Sequence, residues 1–81
     1  MNKIKLKKVF MKAKLEGTDL AIELTVPGRK DTEIIIVKYS NLDYKLGYYI
    51  NNYDDQLILN RCKDIKIVDA YTINSNSLKI R

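Results

Sequence analysis

Between Lys3 and Lys14 lysine alternates with apolar side chains, and no acid interrupts the run. Lys3, Lys5, Lys7, Lys8, Lys12 and Lys14 share this segment with Ile4, Leu6, Val9, Met11 and Ala13. Few folds can bury such a stretch, because almost every apolar residue has a charge beside it. Alternation sends successive side chains to opposite faces, as in a half-exposed strand. The phase slips once, at Lys7-Lys8: Ile4 and Leu6 face one way before it, and Val9, Met11, Ala13 and Leu15 after it. One extra residue reads as a β-bulge, which bends an edge strand. Lysines there either protect the edge from pairing with neighbours or track a phosphate backbone.

Glu16-Gly17-Thr18-Asp19 then reads as a turn, with Gly to accept positive φ. Residues 19–26 alternate cleanly: Leu20, Ile22, Leu24 and Val26 point in, and Asp19, Ala21, Glu23 and Thr25 point out. The expectation is a β-hairpin spanning residues 3–26, its lysines facing Asp19 and Glu23 across the pair. Pro27-Gly28-Arg29-Lys30-Asp31 breaks the pattern. Thr32 to Tyr39 contains Ile34-Ile35-Ile36-Val37, apolar on both faces, and reads as the central strand.

Residues 40–53 admit two readings. On a helix, Leu42, Leu46, Tyr49, Ile50 and Tyr53 share one arc facing a core, and Ser40 to Asp43 matches a capping-box variant. On a strand, Leu42, Tyr44, Leu46, Tyr48 and Ile50 alternate just as well, and tyrosine suits sheets. The helix is preferred, because its apolar spacing persists to Tyr53, where the strand phase has failed. Leu57-Ile58-Leu59 is a short strand, and Ile65 through Ile73 the last firm one. Asn74-Ser75-Asn76-Ser77 is a loop, and Leu78 to Arg81 an edge strand or a frayed end. The expected fold is α+β: a small, mostly antiparallel sheet with one helix packed on a face, in the order β-β-β-α-β-β. If 42–50 is a strand, an all-β meander or small barrel replaces it.

At 81 residues the chain is one domain with a thin core. Its net charge of +5 is bipolar: the first fifteen residues carry six lysines, residues 16–59 are net −4, and 60–81 net +3. The absence of histidine removes the commonest general base and metal ligand. Cys62 is the only cysteine. Flanked by Arg61 and Lys63, it has no histidine to activate it, so a structural residue beside a turn is expected. Asp54-Asp55, with Asp43 or Asp64, lacks the spacing of a calcium loop. No enzyme, cofactor or metal site is expected. With no signal-peptide core and no apolar run of about 20 residues, the expected location is the cytoplasm, with no membrane partner.

Two surfaces remain. Tyr44 and Tyr48, one turn apart on the side of the helix away from Leu42 and Tyr53, have the character of interface anchors. With Asp43, Asp54 and Asp55 they form the expected partner-binding set, a host protein or a protein–nucleic acid complex being the partner and a homodimer an alternative. The six N-terminal lysines form the alternative set, for nucleic acid, with Arg61, Lys63, Lys66, Lys79 and Arg81 as additions.

Residues 48–59 (Tyr48-Tyr49-Ile50-Asn51-Asn52-Tyr53-Asp54-Asp55-Gln56-Leu57-Ile58-Leu59) and 64–69 (Asp64-Ile65-Lys66-Ile67-Val68-Asp69) resemble small accessory proteins of phages and prophages from AT-rich Gram-positive bacteria. That resemblance covers about half the chain and transfers no functional residue. It implies a role in binding and blocking a host protein, including nucleic-acid-targeting defence systems, or in serving as an oligomeric accessory protein.

Overall fold

In a computed structural model that describes residues 1–73, the N-terminal segment is a helix. α1 runs over Lys3–Glu16. Its start is capped by the Asn2 side chain, which accepts the Lys5 N–H at 2.9 Å. Gly17, left-handed at φ 68°, ends it by donating its N–H to the Ala13 carbonyl. The expected bulged strand and the hairpin over 3–26 are therefore corrected. Leu6, Phe10 and Ala13, at helical spacing, are the buried stripe, while Met11 and Leu15 point to solvent. The slip at Lys7-Lys8 is a place where a strict period of 2 fails and the helical period of 3.6 does not.

β1 (Asp19–Leu24) and β2 (Glu33–Val37) form the actual hairpin, closed through the Pro27-Gly28 turn. A one-turn 3-10 helix (Tyr39–Asn41) leads into α2 (Leu42–Asn52), and β3 (Ile67–Ile73) follows a long return loop. The sheet order is β2-β1-β3, antiparallel throughout. The class is α+β, as expected, but the order is α-β-β-α-β, and the all-β alternative falls. The stretch from Ile34 to Val37 lies in an edge strand rather than the centre. That place belongs to β1, five of whose six residues are buried.

One face of this sheet carries both helices. Leu20, Ile22, Leu24, Val37 and Ala70 meet Leu6, Phe10 and Ala13 of α1 and Leu42 and Tyr49 of α2 in one core. The other face leaves Ile34, Ile36 and Tyr71 partly in water around a buried Ala21, with which Ile36 and Tyr71 are in register. Two apolar faces on a strand thus do not require two covering layers.

α2 confirms the helical reading of 42–53: Leu42, Tyr49 and Tyr53 are buried, and Leu46 packs at the core margin. Its capping box does not form. Asn41 is the N-cap and makes no side-chain bond, because residues 39–41 are already spent on the 3-10 turn. Asp19 holds that turn: it accepts the Tyr39 N–H at 2.8 Å and faces Lys38, so it does not meet the N-terminal lysines. Glu23 likewise accepts from Thr32. Residues 57–59 form only isolated bridges, Tyr53 to Leu59 and Ile58 to Lys66, instead of a strand. The last strand begins at Ile67, not Ile65. The loop and edge strand expected over 74–81 lie outside the described residues.

Candidate functional site

Helix formation redistributes the six lysines. Lys3 turns back to the end of α2, donating to the Ile50 carbonyl at 2.9 Å and lying 4.0 Å from Asp55. A cation at a helix C-terminus is favourable, and the contact offsets a lysine at the start of α1. At the other end, Lys14 bonds Asp43 at 2.9 Å, and this contact raises the Lys14 pKa. The two links show that α1 and α2 run antiparallel, side by side. Lys5, Lys7, Lys8 and Lys12 are exposed and pair with no acid among the described residues.

These four lysines share the outer side of α1 with large apolar residues. Ile4, Met11 and Leu15 are 67, 58 and 80% exposed. Between the helices runs a groove of about 190 Å³, floored by Phe10, Met11, Leu42 and Leu46 and edged by Lys7, Lys14 and Asp43. The notion of lysines guarding a strand edge has no object here, since residues 3–16 present no edge.

On α2 the two expected anchors differ. Tyr44 is 75% exposed and stands clear of the core. Tyr48 is only 37% exposed; its ring meets Tyr49 edge-on at 5.4 Å, and the Lys45 ammonium lies 5.1 Å from its centroid. Of the expected acids, Asp43 is engaged by Lys14. Asp54 accepts backbone N–H bonds from Gln56 and Ile58 at 2.9 and 3.0 Å, and its pKa is lowered, above all by the Ile58 bond. Because α2 stops at Asn52, Asp54 opens the return loop and opposes no helix end. Asp55, apart from its 4.0 Å approach to Lys3, is an open carboxylate. Tyr44, Asp43 and Asp55 therefore do not converge: Asp43 and Asp55 sit at opposite ends of α2.

Sequence reasoning missed the outward set of Ile4, Met11 and Leu15 with Lys8. The signal was available, since their spacing of seven and four residues is helical. Cys62 is half-buried among the turns of residues 60–64. No group of three His, Cys, Asp or Glu residues gathers for a metal among the described residues.

Tyr49 is the one strongly perturbed group. It is buried, its hydroxyl has no hydrogen-bond partner among the described residues, and burial pushes its pKa up to about 12, with Tyr53 and Tyr48 adding to the shift. A raised tyrosine pKa means that folding favours the neutral phenol. This contribution is present below the unfolded value of roughly 10 and is lost as pH rises from there toward 12. Tyr49→Phe removes both the ionisation and the orphaned hydroxyl. Thermal unfolding should show the variant at least as stable as wild type at pH 7. The gap should widen in its favour above pH 10. A Tyr49→Phe curve parallel to wild type across that range would show that Tyr49 does not ionise with unfolding.

Comparison with protein-family models, with curated proteins and with solved structures returned no match.

Proposed function

We propose that this chain is a non-enzymatic binding protein that acts by covering a surface of another macromolecule, in the manner of a small inhibitor. The observation that carries the reading is the outer side of the helical layer. Ile4, Met11 and Leu15 on α1 and Tyr44 on α2 are each more than half exposed. Isolated exposed apolar residues are ordinary, but large ones grouped on rigid helices mark surfaces that bury against a partner. The partner is a protein, with a host protein of the kind implied by the resemblance to phage accessory proteins as the target.

Tyr44→Ala is the cleaner test variant, because Tyr48→Ala also strips packing from Tyr49. Affinity capture from bacterial lysate with and without nuclease should recover a protein whose retention resists nuclease and is lost with Tyr44→Ala. The circular dichroism spectrum should stay unchanged. Retention that disappears with nuclease, or that ignores Tyr44, overturns the reading.

A second reading, direct nucleic-acid binding, is favoured by Lys5, Lys7, Lys8 and Lys12, which pair with no acid among the described residues. It predicts an oligonucleotide shift that collapses between about 50 and 200 mM salt. Replacing Lys5, Lys7, Lys8 and Lys12 by Gln should abolish that shift.

A further inference from the structure

We infer that the groove between α1 and α2 receives an apolar side chain carried by an acidic peptide segment of the partner protein. This rests on the binding reading above and names the chemistry of the partner. At about 190 Å³ the hollow is large enough for one leucine-sized side chain, and its floor of Phe10, Met11, Leu42 and Leu46 matches such a group. Among the described residues its rim is net positive, with Lys7 and Lys14 against the single acid Asp43. Lys7 and Lys14 lie seven residues apart on α1, about 10 Å along the axis. Among the described residues Asp43 is the one acid lining the groove, and Lys14 pairs with it at 2.9 Å. An incoming apolar residue flanked by a carboxylate therefore finds an apolar floor and, at its edge, the Lys7 ammonium, which pairs with no acid among the described residues.

The same features argue against the other anionic partners. A phosphate backbone has no use for an apolar floor, and Phe10 is buried edge-on to Tyr49, so it offers no open face for a base. A bilayer covers ridges and leaves a hollow between helices unfilled.

The probe is a blocked synthetic peptide of glutamates surrounding two central leucines, with a counterpart in which serine replaces leucine. Both are titrated into the isotope-labelled protein. The leucine peptide should shift the amide signals of Met11, Leu42 and Leu46, and the serine peptide should bind about tenfold more weakly. Met11→Glu should weaken the leucine peptide by at least as much, with the unfolding temperature held as a check on folding. Equal affinity for the two peptides, shifts confined to residues away from the groove, or an undetectable leucine-peptide interaction overturns the inference. So does tighter binding of a thymidine oligonucleotide of equal charge, or of phosphatidylglycerol vesicles. If Met11→Glu leaves nuclease-resistant capture intact while Tyr44→Ala abolishes it, the groove assignment falls and the binding function stands. If Tyr44→Ala leaves capture unaltered, the function itself falls.

Discussion

Phe10→Ala is expected to cost about 3–5 kcal/mol of stability, and Met11→Ala, its immediate neighbour, to stay within about 0.5 kcal/mol. The contrast follows from the helix. Phe10 is buried among Leu6, Ala13 and Tyr49, whose ring it meets edge-on at 6.3 Å, whereas Met11 is mostly in water. Truncation leaves a cavity at the junction of both helices and the sheet, where relaxation would have to move three elements together. For a chain of 81 residues, whose total stability is of the order of 4–12 kcal/mol, such a loss removes from about a quarter to all of it. Denaturant titration of both variants measures it. A strand over residues 3–15 reverses the order, since Met11 would then be inward and Phe10 outward. Equal effects, or a larger one at Met11, would reject the helix.

The reason α1 was unreadable by alternation lies in its lysines. A helix buried on one side only needs apolar residues on about a third of its surface, and Leu6, Phe10 and Ala13 supply that stripe. The outward Ile4, Met11 and Leu15 then fill gaps between lysines and counterfeit a period of two. Two local signals favoured helix: Asn2 ahead of a run of good helix formers, and Gly17 just beyond it. Gly17 serves a helix end and a hairpin turn equally well, so it decided nothing without the buried stripe. α2 was readable because Leu42, Tyr49 and Tyr53 are large and sit on one side with no apolar competitor opposite except the tyrosines. The binding surface was readable in part. Tyr44 follows from the phase of α2 alone, whereas the groove requires two adjacent helices, held at their ends by Lys3–Asp55 and Lys14–Asp43. Those pairs join residues 52 and 29 positions apart, and nothing local in the sequence announces them.

Leu57 has the second large expectation attached to it. It is fully buried, yet its backbone is left-handed at φ 62°, a region that costs a residue with a side chain roughly 1–2 kcal/mol. The return loop enforces the conformation. Asp54 accepts from Gln56 and Ile58 on one side, and the Leu57 carbonyl accepts the Ile67 N–H at 2.9 Å on the other. The strained turn drives the leucine into the core and fixes the entry to β3, so burial outweighs strain. Leu57→Ala should lose about 2–5 kcal/mol, because the cavity opens while the φ penalty remains. Leu57→Gly removes the same side chain and relieves the backbone. It should therefore be no less stable than Leu57→Ala and up to about 1 kcal/mol more stable, against the usual cost of glycine. Parallel denaturant curves of the three proteins test the inversion. Glycine clearly below alanine would mean that the left-handed turn is not what holds Leu57 in place.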